Sequence, residues 1–218
     1  MLYFKIFNSD NLDEIGHYPQ TKLKAGYNPS LPESHWQVKS NEFPDFIPNY
    51  ELELHEKAVP TNLIDPASGS FGLVVDSKLK TLFQEFNLPP HHFYPIKIYQ
   101  KSKLLDYYWM HFIISDFWEN IDMDKSTLRI QSNTSKDIYI ILPVLSKEYV
   151  EKLSLYYLHK YEYTLFADKL YFKDSFQIYD IIDIEFLEYT PLISARLKKE
   201  MESQKMTGFQ LKLYKPVK

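Results

Sequence analysis

With 218 residues, 44% apolar and 25% charged side chains, and a net charge of −4, the chain has the composition of a globular protein able to bury a sizeable core. The absence of cysteine excludes disulfides and thiolate metal sites, and the acidic balance argues against nucleic acid as a partner, since phosphate binding needs concentrated Lys and Arg. No uncharged apolar run nears the ~18 residues that cross a bilayer, and Lys5 interrupts the alternating start Leu2–Phe7, unlike a signal peptide; a cytoplasmic protein with no membrane partner is expected.

Charge is unevenly placed. Residues 1–72 hold 5 basic and 10 acidic side chains, whereas residues 190–218 hold 7 and 2. The first seven residues alternate as a strand. The chain to about residue 72 then carries 7 of the 13 prolines and 4 of the 5 glycines, which predicts a loop-rich N-terminal third. Within it only Glu51–His55 alternates cleanly as a strand, and Tyr27, Trp36, Phe43, Phe46 and Tyr50 are aromatics that need cover.

Asp76 is positioned to cap a helix whose Leu79, Leu82, Phe83 and Phe86 form one apolar stripe; burying them would stabilise by ~1.5–3 kcal/mol each before the entropy of ordering. Leu88-Pro89-Pro90 ends it. Phe93–Tyr99 and Leu105–Ile114 flank the polar turn Gln100–Lys103 as a hairpin, and Asp137–Leu142 is a strand that stops at Pro143. Ser146–His159 reads as a helix with Tyr149, Leu153, Tyr156 and Tyr157 on one side. Tyr163–Phe172 and Phe176–Phe186 read as strands, the second with Asp183 and Glu185 on a solvated face. A last helix begins near Thr190 or Ser194, presents Ile193, Leu197 and Met201, and closes at Thr207-Gly208 before the strand Phe209–Tyr214.

The pattern Val75-Asp76-Ser77-Lys78-Leu79-Lys80 can be laid on Ile193-Ser194-Ala195-Arg196-Leu197-Lys198, each opening a helix that returns into an alternating strand. Strands outnumber helices and mostly follow one another as hairpins. The expected class is therefore α+β, mainly antiparallel sheet with about three amphipathic helices, as one domain over 1–218 with a helix–strand core at 73–218.

Five glycines supply neither GxGxxG nor a Walker loop, and no serine sits in a GxSxG elbow. The seven histidines (His17, His35, His55, His91, His92, His111 and His159) form no HxH, HxxxH or HExxH spacing. Neither catalytic residue, cofactor site nor metal site is therefore expected. One alternative is an enzyme or small-ligand site assembled from scattered residues, such as His91, His92 and His111 with Asp116. Another is a structural component that uses the N-terminal third as its contact surface. The strongest surface candidate is the acidic, aromatic segment Asp116, Trp118, Glu119, Asp122 and Asp124, where charge can steer a basic partner and a ring can anchor it; a polar loop whose aromatics cover the core is the competing account.

Leu73–Lys80, Phe93-Tyr94-Pro95-Ile96, Tyr107-Tyr108-Trp109-Met110 and Ile121–Ser126, with Leu192–Lys198 and Met206-Thr207-Gly208-Phe209, resemble the immunity proteins of bacterial polymorphic toxin systems. The resemblance covers roughly residues 70–130 and 185–214, and Asp76 stands where that family tends to have serine. It implies a non-catalytic cytosolic inhibitor whose partner is a cognate toxin. A nuclease, with its basic active site, would suit an acidic inhibitor. In this motif Asp122, Asp124 and Ser126 shape a turn or touch the toxin. No catalytic residue is carried over by the resemblance.

Overall fold

The computed structural model describes residues 2–66, 71–115, 117–160 and 162–217. In chain order the elements are β1 (Tyr3–Asn8), α1 (Leu12–Ile15), β2 (Thr21–Leu23), β3 (Glu51–Leu54), β4 (Leu73–Asp76), α2 (Ser77–Phe83), β5 (His91–Gln100) and β6 (Lys103–Phe112). They continue with β7 (Thr127–Ser132), β8 (Tyr139–Pro143), α3 (Lys147–Leu158), β9 (Tyr163–Lys169), β10 (Ile181–Ile184), β11 (Glu188–Ser194), α4 (Ala195–Ser203) and β12 (Phe209–Tyr214). Strands dominate and pair mostly antiparallel, so the class is α+β. The three sheets have the orders β10-β11-β1-β12, β2-β3-β5-β6-β4 and β8-β7-β9, with β3 and β5 parallel.

The chain groups into two compact units, each assembled from separate stretches. One comprises Met1–Lys5, Ile114–Ala195 and Lys212–Lys218; the other comprises Ile6–Ile113 and Arg196–Leu211. The loop-rich third does not stand apart, because most of it builds the second unit together with the hairpin that follows it.

The second unit is organised by the β5–β6 hairpin, paired from His91↔Phe112 to Gln100↔Lys103 through a two-residue turn with Lys101 at φ 58°. Alternation puts Tyr94, Ile96 and Ile98 on one face, opposite Trp109, Tyr107 and Leu105. Tyr50, Leu52, Leu54, Ile64 and Val74 close over that face as its core. Asp76 caps α2 by accepting the Leu79 amide at 2.8 Å, and Leu79, Leu82 and Phe83 are buried. Of the N-terminal aromatics, Tyr50 is buried, whereas Trp36 remains exposed with its ring tilted against His35.

In the first unit, Leu128 and Ile130 of β7 join Leu165 and Ala167 of β9, Val144, Val150, Ile182, Ile184 and Leu192 in one core. Three expectations change here. Residues 188–194 are the strand β11, paired with β1 and β10, so of the two expected starts the helix takes the later, at Ala195, because Leu192 and Ile193 are buried between two partner strands. On α3 Tyr149, Leu153 and Tyr157 pack against the core as expected, with Val150 fully buried among them, whereas Tyr156 turns out to solvent. Asp183 is half-buried rather than solvated, and burial lifts its carboxyl to about 6, with Glu185 adding repulsion.

Gly208 has φ +91°, and a Cβ there would lie 1.9 Å from the Leu63 carbonyl oxygen and 2.5 Å from Thr61 Oγ1. Its N–H meets the Glu14 carboxylate at 3.0 Å and its carbonyl accepts the Ser9 amide at 2.9 Å. Gly208→Ala therefore combines an unfavourable backbone region with a clash against backbone, and is expected to destabilise by roughly 2–4 kcal/mol, seen as a lowered urea midpoint. An unchanged midpoint contradicts this account.

Candidate functional site

The acidic segment separates into core and surface. Asp116 lies outside the described residues. Trp118 is only 3% exposed, with its ring edge-on to Phe117 and parallel to Phe186, so it belongs to the core and offers no ring to a partner. Asp122 pairs with Lys125 at 2.7 Å, which holds its carboxyl below the usual range. The Asp122 carbonyl accepts the Ser126 amide at 3.0 Å, and Ser126 Oγ accepts the Tyr171 amide at 3.0 Å, so this motif shapes a turn. Glu119 and Asp124 point their carboxylates to solvent.

The histidines of the scattered-site alternative are distributed by sheet parity. His92 and His111 are cross-strand partners, with Phe43 edge-on to both, while His91 falls on the opposite face and meets the Pro89 carbonyl oxygen at 2.8 Å. His111 is fully buried, with Nε2 at 3.1 Å from the Ser40 carbonyl oxygen and Phe43, Phe71 and Trp109 around its ring. His35 lies beneath Tyr50 at 3.7 Å, and its Nδ1 is 2.6 Å from Tyr27 Oη. Burial lowers both imidazole pKa values, that of His35 to about 4, so both rings are neutral at pH 7. Among the described residues, no three His, Asp or Glu side chains converge as a metal site.

The surface with the composition of a docking site lies on the three-stranded sheet of the first unit. Its inner face carries Leu128, Ile130, Leu165 and Ala167 into the core. Its outer face is built in rows by the register, Ile141–Arg129–Phe166 and, beside it, Tyr139–Gln131–Thr164. Tyr139, Ile141 and Phe166 are all exposed. Arg129 is held among them, because Asp168 takes both its Nε, at 3.1 Å, and its terminal nitrogen. Thr127 Oγ1 donates to the other Asp168 oxygen at 3.1 Å, and the guanidinium sits 4.9 Å from the Tyr139 ring centre. Arg129 is thus held against Tyr139 before any partner arrives, which removes part of the ordering cost of binding.

The edge of this sheet is equally open. Ile138 and Ile140, on the inner side of β8, are 58% and 60% exposed, so β8 extends beyond what the core covers. Among the described residues six strands end the three sheets; β4 is bridged by Leu63, and four of the other five contain a charged side chain: Lys22 in β2, Asp168 and Lys169 in β9, Asp183 in β10 and Lys212 in β12. Charges of this kind protect an edge from unwanted pairing. β8 has none, and the uncharged run extends from Ile138 to Ser146. Sequence reasoning locates the strand but not its edge position. The signal it leaves is this lack of any charge.

Burial of His35 makes the second unit acid-sensitive. The unfolded imidazole titrates near 6.5 and the folded one near 4, so on acidification the unfolded chain takes the proton first. The His35 contribution is complete above pH ~6.5 and is lost as pH falls towards 4. His35→Phe, which keeps a ring beneath Tyr50, is expected to flatten the dependence of the urea midpoint on pH in that window; a slope equal to that of the wild type contradicts this. No family model matches the chain, and no curated protein does either.

Proposed function

We propose that the chain is a non-catalytic immunity protein that binds a bacterial toxin domain and blocks it, docking through the outer face of the β8-β7-β9 sheet. The observation that carries the reading is the fixed Arg129 framed by exposed Tyr139, Ile141 and Phe166. Tyr and Arg are enriched among residues that dominate binding energy, and apolar neighbours exclude water around them. The solvent-facing carboxylates of Glu119 and Asp124, in the same unit, suit a basic partner such as a nuclease active site. The resemblance in Leu73–Lys80, Ile121–Ser126 and Met206–Phe209 supports the toxin as the class of partner.

The test is co-expression with the product of the adjacent open reading frame. The wild-type chain is expected to restore growth that this product arrests, and to co-purify with it. Phe166→Asp places a charge beside Arg129 in the proposed interface and should weaken the complex roughly 30-fold, about 2 kcal/mol, while leaving the thermal midpoint nearly unchanged. A neighbouring product that arrests no growth and binds nothing removes the immunity reading. A Phe166→Asp variant that binds as tightly as the wild type removes this face as the site.

A further inference from the structure

The free edge of β8 has a hydrogen-bonding pattern that is complementary to itself. Two bonds set its parity: the Ser132 amide donates to the Ile138 carbonyl at 2.9 Å, and the Val144 amide donates to the Ser126 carbonyl at 3.4 Å. In an antiparallel pair, alternate residues bond the neighbour and the rest turn their N–H and C=O groups the other way. Ile138, Ile140, Leu142 and Val144 therefore face β7, while Tyr139, Ile141 and Pro143 face the open edge. Two donors point outward, the amides of Tyr139 and Ile141; Pro143 has no N–H and contributes only an acceptor.

We propose that in solution β8 pairs antiparallel with β8 of a second copy about a two-fold axis at Ile141, joining two three-stranded sheets into one of six strands. This register overlaps all five residues of the strand. It satisfies every outward donor: each Ile141 amide donates to the Ile141 carbonyl of the other copy, and each Tyr139 amide donates to the Pro143 carbonyl across the axis. The missing proline N–H faces the Tyr139 carbonyl, which water can reach. No charge lies between Ile138 and Ser146 to be repelled or desolvated. A heterologous strand would have to match this uncharged run and the two outward donors, whereas a second copy supplies both by symmetry. Pairing also covers the exposed Ile138 and Ile140 and places the two Arg129 faces side by side on one sheet, so a dimer presents the proposed docking face twice.

The chain has no cysteine, so a single introduced one reports the register directly. Hydrogen-bonded antiparallel partners have Cα atoms ~5.5 Å apart, within disulfide range. Ile141→Cys is expected to form a disulfide-linked dimer on mild oxidation. Tyr139→Cys, about 14 Å from its own symmetry mate, should not. Light scattering over a concentration series should show the wild type at twice the 26.1 kDa chain mass and Ile140→Lys at the single mass. A wild type that stays at 26.1 kDa, an Ile141→Cys protein that does not cross-link, or cross-linking through Ile140→Cys instead each overturn the proposal. These outcomes leave the toxin reading untouched, because that is read from growth rescue and from Phe166→Asp, whose side chain lies two strands away from the paired edge.

Discussion

A strand at the end of a sheet leaves half of its backbone donors and acceptors without a partner, and every sheet must resolve that demand with water, charge, cover or pairing. Among the described residues β4 has its outer backbone bonded to residues 62–64, and four of the other five edges carry at least one charged side chain, which suits them poorly to pairing. The edge strand β8 does not. Its side chains are uncharged, and the core beneath its sheet reaches Leu142 but leaves Ile138 and Ile140 exposed. Both the proposed docking face and the proposed self-pairing edge rest on that single arrangement, since an apolar strand with open backbone is stabilised by contact with another polypeptide.

The second unit is built on different terms. Its central hairpin brings rings into register, and the loop-rich segment before it supplies Tyr27, His35, Phe43 and Tyr50 to complete a packed aromatic cluster around Trp109 and His111. Trp109 donates its indole N–H to the Phe71 carbonyl at 2.7 Å, and Gly72 has φ +76° at a point where a Cβ would lie 2.2 Å from the Met110 carbonyl oxygen. The imidazoles in this cluster are neutral because they are desolvated, and their hydrogen bonds run to Tyr27 and to the Ser40 carbonyl. Histidine here serves as a flat polar ring within a core of flat rings.

The candidate site shows how burial redirects a motif. Carboxylates and aromatics within a few residues of each other suggest a charged patch with an anchor, yet Trp118 turns inward and Asp122 closes a turn on Lys125 and Ser126. The exposed rings come from Tyr139 and Phe166, which are distant in sequence and share one sheet face only because β7 pairs with both β8 and β9. Arg129 completes the face from β7, a strand not anticipated at all: in Thr127–Ser132 the alternating Leu128 and Ile130 make only a short apolar signal beside Arg129 and Gln131.

Local chemistry determined the class, the Asp76 cap and stripe of α2, the tight β5–β6 turn and the stop at Pro143, because each depends on residues within a few positions of one another; α4, expected to close at Thr207-Gly208, ends at Ser203 with Lys205 at φ 53°. The strand at 188–194, the inward turn of Trp118, the half-burial of Asp183 and the neutrality of His35 and His111 were decided only by the tertiary structure. So was the edge position of β8. Periodicity identifies a strand and its two faces; whether either face or either edge meets another part of the chain depends on contacts between residues far apart in sequence, which no local pattern contains.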